Sequence, residues 1–127
     1  MHRALSPAAL RPPFARYSHG VVAEAPTRFL FTSGQLGVGD DDVIPADVEA
    51  QATLCFENIR AILAEGGMTF GDVVRFSAYV TDRAYFPIYG RVRDRYAPGG
   101  AFASTLIVVS GFTREAFKIE VEATAAA

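Results

Sequence analysis

Residues 46–67 read ADVEAQATLCFENIRAILAEGG, and the rest of the predicted fold is arranged around them. Six apolar residues in this stretch recur at gaps of three and four: Val48, Ala52, Cys55, Ile59, Ile62 and Leu63. That spacing places them on one stripe of a helix. Four polar residues lie off the stripe: Glu49, Gln51, Glu57 and Arg60. Asp47 can accept from first-turn N–H groups, and Gly66 and Gly67 favour the left-handed conformation that ends a helix. The stretch predicts a capped helix lying on a sheet.

The composition is that of an ordinary globular chain. Its 127 residues fit one domain, half of them are hydrophobic, and the formal net charge is −2. Nucleic acid is disfavoured as a partner because phosphates are bound by clustered Lys and Arg. A signal-peptide pattern is not found before Pro12, and no run approaches the roughly 20 apolar residues that span a bilayer. A cytoplasmic protein without membrane contact is expected.

The remaining elements are predicted from periodicity and turn residues. Strands are expected over Tyr17–Ala23, Arg28–Ser33, Val73–Val80, Ser104–Val109 and Phe117–Ala125. The first two should form a hairpin, and Asp82 should cap a second helix that ends at Tyr96. An aromatic stripe on that helix, with Phe86, Tyr89 and Tyr96, is expected to be core. Residues 1–14 form a tail or edge segment, and residues 34–42 a solvated loop.

The resulting order is β-β-α-β-α-β-β, a single α+β domain. Both helices can lie on one face of the sheet, which leaves the other face without cover. The uncovered face is expected to be apolar, and an apolar face of this size is a liability in a monomer. The pattern therefore predicts that other copies of the chain bury it.

Standard catalytic signatures are absent from the sequence. No phosphate-binding Gly-rich motif or Cys/His metal set appears, and His2 and His19 are the only histidines. No metal ion and no organic cofactor is therefore expected. The single cysteine, Cys55, lies on the apolar stripe and is interpreted as a core residue rather than a nucleophile.

Several polar residues occupy unusual places on the predicted strands. Tyr17 and His19 are two apart and should point to the same side of their strand. Ser33 and Gly34 close the second strand, and Glu120 interrupts the apolar alternation of the last one. Each residue also fits a plain surface position.

An ordered series of short blocks resembles the RidA (YjgF-type) family of imine and enamine deaminases. The blocks are Tyr17-Ser18, Thr32-Ser33-Gly34-Gln35, Asp47-Val-Glu-Ala-Gln51, Glu57-Asn58-Ile59, Gly66-Gly67, Asp72-Val-Val, Val80-Thr-Asp82 and Lys118-Ile-Glu-Val-Glu-Ala123. The resemblance implies a fold similar to chorismate mutase and a homotrimer whose sheets form a central barrel. It also implies clefts between subunits that bind a small-molecule substrate.

The resemblance assigns roles to individual residues of such a cleft. Tyr17 is similar to the cleft tyrosine and Glu120 to the carboxylate that orients or activates water. Ser33 and Gly34 resemble the strand end that offers hydroxyl and backbone contacts. His19, Ser104 and Thr105 complete the implied substrate-binding set. The implied chemistry is hydrolysis of a C=N bond to a ketone and ammonium. Ribonuclease activity is also associated with this family, and the lack of basic excess or a catalytic His pair disfavours it here.

One departure from the family pattern concerns the substrate. The arginine expected just before Ser104 is Ala103, which cannot bind a carboxylate. Three further positions also depart: Ala15-Arg16 replaces Gly-Pro, His19 replaces Gln, and Gly90 replaces Asn. We therefore expect a deaminase inactive toward 2-iminopropanoate, whose substrates lack an α-carboxylate or are held by another cation. The candidate cations are Arg16, Arg91 and Arg93, although strand alternation points Arg16 away from Tyr17.

Two alternatives remain, a cleft that binds a metabolite without turnover and a trimeric interaction protein, because fold does not determine function. The position of His19 separates enzyme from binding protein. A histidine lining the cleft near Glu120 favours proton transfer, whereas one at the surface favours binding.

Overall fold

Two helices pack on one face of a mixed sheet in the computed structural model, which describes residues 2–127. The strands are β1 His2–Leu5, β2 Gly20–Ala23, β3 Phe29–Phe31, β4 Gln35–Leu36, β5 Val73–Val80, β6 Ala103–Val108 and β7 Ile119–Ala126. The helices are α1 Val48–Glu65 and α2 Phe86–Tyr96. The larger sheet has the order β3-β7-β5-β6, with β4 also paired to β7, and only β5 and β6 run parallel. The predicted α+β class is confirmed.

Helix α1 begins and ends where its capping residues predict. The Asp47 carboxylate accepts a hydrogen bond from the Ala50 N–H at 3.0 Å, and Gly67 adopts a positive φ of 70° after the last turn. The predicted stripe is buried apart from Ile62, which is half-buried, and Phe56 extends it. Neither helix of residues 2–127 combines the length and apolar character needed to cross a membrane.

The prediction that Gln51 lies off the buried stripe is wrong. Its side chain is fully buried, and its amide donates to the carbonyl oxygens of Pro45 and Ala116, both at 2.8 Å. The amide oxygen accepts from the Lys118 N–H at 2.9 Å. A buried amide is tolerated when its donors and acceptor are paired, and these bonds join α1 to the segment entering β7.

The aromatic stripe of α2 contributes to the core, as predicted. Phe56 of α1 stacks on Tyr96 with ring centroids 5.2 Å apart and meets Phe76 of β5 edge-on at 5.5 Å. Tyr89 and Val92 are buried with them. Helix α2 also buries Arg93 on the same side, which places a charged group at the margin of the core.

The predicted hairpin between the first two strands is wrong. Strand β2 pairs instead with β1, which lies inside the expected tail or edge segment, while β3 pairs with β7. The backbone N–H groups of Thr27 and Arg28 both donate to the Ala127 carbonyl at 2.8 Å, which directs the chain to the C-terminal strand. Tyr17 and His19 precede β2, so strand alternation does not govern them. Met1 lies outside the described residues.

Two other elements differ from expectation. The short strand β4 lies within the predicted loop, and Asp82 caps a single 3₁₀ turn, Arg83–Tyr85, that leads into α2. The β-branched content of strand β6 is typical of a buried strand, but β6 lies at an edge of the sheet. Ile107 and Val108 are each 48% exposed.

The face of the sheet opposite the helices, called here the open face, carries no helix, as predicted. Its composition is mixed rather than apolar as expected. By strand alternation and register, its members are Phe29, Phe31, Leu36, Arg75, Ser77, Tyr79, Ala103, Thr105, Ile107, Glu120, Glu122, Thr124 and Ala126. Polar groups occupy its centre, where the Tyr79 hydroxyl donates to Glu122 at 3.3 Å. Phe29 and Phe31 supply an exposed apolar margin.

Candidate functional site

A cleft of about 340 Å³ lies between the segment preceding β2, the first turns of α2 and the edge strand β6. We call it the Tyr17 cleft, and its lining residues are Phe14, Tyr17, Phe86, Arg93, Ser104 and Leu106. Its volume falls within the range of small-molecule sites, and its lining combines aromatic surface with few polar groups. The Tyr17 hydroxyl oxygen accepts a long bond from the Phe14 N–H at 3.4 Å, so its own proton remains available to a ligand.

Ser18 fixes the position of Tyr17. The Ser18 side chain is buried and donates to the Gly100 carbonyl at 2.8 Å, and its backbone N–H donates to the Phe102 carbonyl at 2.9 Å. Both acceptors belong to the segment that leads into β6. These two bonds tie the Tyr17 segment to the edge strand, although it is not a strand itself.

Arg93 forms the charged part of the Tyr17 cleft. Its side chain is 1% exposed, with the guanidinium carbon 5.5 Å from the Tyr89 ring centre and 5.1 Å from that of Phe102. Its Nε donates to Asp94 at 3.1 Å, and Nη1 makes a long bond to the Ser104 hydroxyl at 3.4 Å. Nη2 is buried and has no hydrogen-bond partner among residues 2–127. The guanidinium is therefore held in place but only partly satisfied.

The phenol of Tyr89 does not neutralise Arg93. Burial raises the pKa of Tyr89 to about 12, against a smaller lowering effect of the Arg93 charge. The hydroxyl therefore stays protonated at neutral pH. Asp94 is the only carboxylate that contacts the Arg93 guanidinium within residues 2–127.

Glu120 lies on the open face, away from the Tyr17 cleft in the same chain. Its side chain is half-buried, and burial, followed by the charge of Glu122, raises its pKa above the ordinary carboxyl value. Its carboxyl group rests against Gly34, where an added Cβ would lie 2.5 Å from Glu120 Cδ. Ser33 beside it is exposed, and its carbonyl accepts from the Gln35 amide at 3.2 Å.

The predicted site residues fall into two groups within one chain. Ser104 contacts Arg93 on the helix side of β6, whereas Thr105 points to the open face and accepts from Arg75 Nη2 at 2.6 Å. Tyr17 lies with Ser104 in the first group, which lines the cleft, and Gly34 lies with Glu120 in the second group. The sheet separates these two groups.

His19 and two of the candidate cations lie away from the cleft. His19 is exposed, with Nε2 2.6 Å from the Arg11 carbonyl oxygen. Arg16 is exposed and donates to the Pro98 carbonyl at 3.3 Å. Arg91 is exposed and lies 3.6 Å from Glu49. Of the three candidate cations, only Arg93 lines the Tyr17 cleft.

The sequence interpretation did not identify two aromatic walls of the cleft. Phe86 belongs to the aromatic stripe that was assigned to the core, and its place in the first turn of α2 indicates that it lies at the margin. Phe14 follows a Pro-rich segment without periodicity, so nothing in the sequence singled it out. Cys55 is buried as predicted, and burial raises the pKa of its thiol to about 12.

The fold and the cleft define a class of protein, an α+β chain with two helices on one face of a mixed sheet and a small-molecule-sized cleft at its edge. Residues 8–127 match the model of the family described as Endoribonuclease L-PSP. The chain therefore belongs to this family, introduced above as the RidA (YjgF-type) family.

Individual relatives agree with this assignment. DfrA of Myxococcus xanthus is 33% identical over 127 residues, covering 98% of this chain and 92% of DfrA. TdcF of Escherichia coli, named as a candidate reactive intermediate deaminase, is 37% identical over 68 residues, about half of each chain. Its structure with bound serine has a TM-score of 0.72 at 29% identity, covering 96% of this chain and 93% of TdcF. YyfB of Yersinia pestis, a Rid family protein of unknown function, has a TM-score of 0.88 at 26% identity over 99% and 98%.

Proposed function

We propose that the protein hydrolyses the C=N bond of a reactive imine or enamine metabolite. Membership of the family supports a deaminase-type role at the level of the family. The observation that carries the proposal for this chain is the Glu120 carboxyl group, half-buried against Gly34 with a raised pKa. A carboxyl group whose pKa lies closer to neutrality is a better general base at physiological pH.

The proposed active form is a cytoplasmic homotrimer with its clefts between subunits. Tyr17 and Glu120 lie on opposite faces of the sheet in one chain, so a shared site requires the open face of a second copy. The exposed Phe29 and Phe31 on that face support such packing, because burial of aromatic surface favours association.

The proposed reaction consumes one water molecule and releases ammonium. An enamine first takes a proton from solvent on carbon and becomes an iminium ion, the protonated form of the imine. Glu120 accepts a proton from water as the water oxygen bonds to the iminium carbon, and the π electrons move to nitrogen to give a neutral carbinolamine. Glu120 then returns this proton to the nitrogen, the C–N bond breaks as the C=O bond forms, and the departing ammonia takes the hydroxyl proton, leaving a ketone and ammonium. Tyr17, Ser33 and the backbone at Gly34 orient the substrate through hydrogen bonds.

The substrate class depends on how a carboxylate would be held. Ala103 offers only a methyl group where the family pattern has an arginine, so the substrates either lack an α-carboxylate or are held by another cation. Arg93 is the candidate cation that the cleft contains.

A second candidate function is binding of a small metabolite without turnover. The exposed position of His19 favours it, since that residue contributes no proton-transfer group to the Tyr17 cleft. In this proposal the cleft and the trimer remain, and the protein senses or stores its ligand. A trimeric interaction protein is the third reading, and no described residue specifically supports it.

A panel of imines tests the proposed function. An amino-acid or amine oxidase generates each imine in the presence of the protein, and a trapping reagent measures how much survives. The wild-type protein should shorten the lifetime of at least one imine, and Glu120→Gln should abolish that effect without changing the oligomeric mass. Glu115→Gln, at an exposed residue, is the control. Turnover that Glu120→Gln leaves intact would remove Glu120 from the mechanism, and ligand binding without turnover would favour the second candidate.

A further inference from the structure

The partly satisfied guanidinium of Arg93 points to an anion site in the Tyr17 cleft. We infer that Arg93, with Tyr17 and Ser104, binds the carboxylate of a small organic ligand. The inference rests on the proposed function for the chemistry of that ligand. It assigns a residue of α2 as the carboxylate anchor, in place of the arginine that the family pattern has at position 103. It therefore takes the second of the two expectations drawn from Ala103, a carboxylate held by another cation, and departs from the expected inactivity toward 2-iminopropanoate.

A buried cation requires compensation, and Arg93 has too little within the chain. Only Nε of its guanidinium makes a short ionic contact, to Asp94 at 3.1 Å. Nη1 has one long bond to Ser104, and Nη2 has no partner among residues 2–127. Leaving a buried charged donor unpaired costs about 1–3 kcal/mol or more, so an external acceptor is favoured. The edge of the guanidinium formed by Nη1 and Nη2 is called here the free edge, because Nη2 has no partner among residues 2–127 and Nη1 has only the long bond. Its two N–H groups are parallel, which is the geometry that binds the two oxygens of a carboxylate.

The guanidinium is preorganised for this role. The rings of Tyr89 and Phe102 both pack against it, and the bond from Nε to Asp94 limits its rotation. A group that is already ordered loses little conformational entropy when a ligand binds. Nη2 lies beneath the surface of the cleft, so full contact requires a wall residue to move.

The surroundings of Arg93 have a positive excess. Asp94 also lines a neighbouring surface hollow with Arg16, Arg91, Arg95 and Glu49. Together with Arg93, this region contains four guanidinium groups and two carboxylates. The pairing of Arg93 with Asp94 therefore does not leave the region neutral. The positive excess of this neighbouring hollow attracts an anionic ligand from solution toward this side of the chain.

A second arginine, Arg75, lies closer to Ala103 and is the competing anchor. It is the register partner of Ala103 and shares the open face with Thr105. Arg75 is exposed, however, and its guanidinium donates to Thr105 at 2.6 Å and to Ser77 at 3.4 Å. An anion therefore gains less binding free energy from a solvated guanidinium that already has partners than from a buried guanidinium with a free edge.

Binding of a stable carbonyl analogue tests the inference without any need for turnover. The probe is 2-oxobutanoate, and the neutral comparison is 2-oxobutanamide, both titrated calorimetrically. The wild-type protein should bind the carboxylate at least tenfold more tightly than the amide. Arg93→Met should weaken carboxylate binding about tenfold or more and leave amide binding nearly unchanged, since a charge-assisted contact to a carboxylate is lost. Arg114→Gln is the matched control and should bind like the wild type, because this exposed arginine lies outside the cleft, with its guanidinium 3.6 Å from Asp42.

Arg93→Lys provides a second variant in case loss of the buried charge prevents folding. Lysine keeps the charge but not the fork, so carboxylate binding should fall to an intermediate value while thermal unfolding stays cooperative. The inference would be overturned if the wild-type protein bound the carboxylate and the amide equally well. It would also be overturned if Arg75→Gln lost carboxylate binding and the Arg93 variants kept it. Arg93-dependent binding without imine turnover would support the anion site and count against the proposed function. Imine hydrolysis at equal rates in wild type and Arg93 variants would count against the anion site alone.

Discussion

The carboxyl group of Glu120 packs against the backbone of Gly34 so closely that position 34 has no room for a side chain. An added Cβ would lie 2.5 Å from Cδ and 2.8 Å from each carboxylate oxygen of Glu120. The contact follows from the pairing of β4 with β7, which places Leu36 opposite Glu120 in register. Glycine at position 34 thus permits a half-buried carboxyl group at the end of a strand.

Gly34→Ala should therefore displace Glu120. Because the added methyl group meets a carboxyl group held within a strand, we expect a loss of about 1–3 kcal/mol in the free energy of unfolding, measured by urea denaturation. Any turnover should fall as it does in Glu120→Gln. Gly90→Ala in α2 is the matched control, since no atom outside the helix backbone lies within 4 Å of the added Cβ and alanine favours a helix over glycine by about 0.5–1 kcal/mol. A neutral effect at Gly34 would show that the carboxyl group moves aside freely.

The pKa of Glu120 should lie above the ordinary carboxyl value. Burial is the larger cause and the charge of Glu122 the smaller one. Glu122→Gln should lower the pKa of Glu120 only in part, because the burial remains. Titration of the side-chain carboxyl carbon by NMR measures both values, and a wild-type pKa at or below the ordinary value would contradict the prediction.

The same pKa shift predicts how stability depends on pH. A carboxyl group whose pKa is raised by folding binds its proton more tightly in the folded state than in the unfolded state. Its stabilising contribution is complete below the unfolded pKa and is lost as the pH rises through the folded pKa. Glu120→Gln should remove this fall in the free energy of unfolding. A fall of the same size in both proteins would assign it to another group.

Gln51 should be a major determinant of stability. Gln51→Leu leaves the carbonyl groups of Pro45 and Ala116 and the N–H of Lys118 without their partner. We expect a loss of about 2–4 kcal/mol in the free energy of unfolding, measured by urea denaturation. Gln35→Leu makes the same chemical change where the amide has one exposed bond, so its cost should be well under 1 kcal/mol. Equal costs at the two positions would contradict this account.

Local signals predicted the elements that have strong periodicity or clear caps. The stripe and the Asp47 cap defined α1, and the alternation of residues 73–80 gave β5 with the observed bounds. Gln51 was misplaced because periodicity counts a glutamine as polar, whereas its burial depends on three backbone groups distant in sequence or outside the helix. The hairpin was wrong for a related reason, since the C-terminal carbonyl of Ala127 directs β3 to β7.

The candidate site was less predictable than the fold. Tyr17 and Ser104 do meet in one cleft, but no alternation rule connects a bend before β2 with a residue of an edge strand 87 positions later in the sequence. Ser104 and Thr105 are adjacent in sequence and point to opposite faces, which became evident only from their partners Arg93 and Arg75. Arg93 was a candidate because of its charge, and its buried free edge depends on the packing of Tyr89 and Phe102.

The protein should form trimers through its open face. Phe31 is 73% exposed there in the single chain, and burial of such a side chain contributes about 1.5–3 kcal/mol. Light scattering of the wild-type protein in dilute solution should give three times the mass of one chain. Phe31→Lys should shift the equilibrium toward monomer, because it places a charge in the proposed interface. Ala61→Lys adds the same charge to the exposed side of α1 and should leave the mass unchanged. A monomeric wild type would contradict the trimer and, with it, any site shared by Tyr17 of one copy and Glu120 of another.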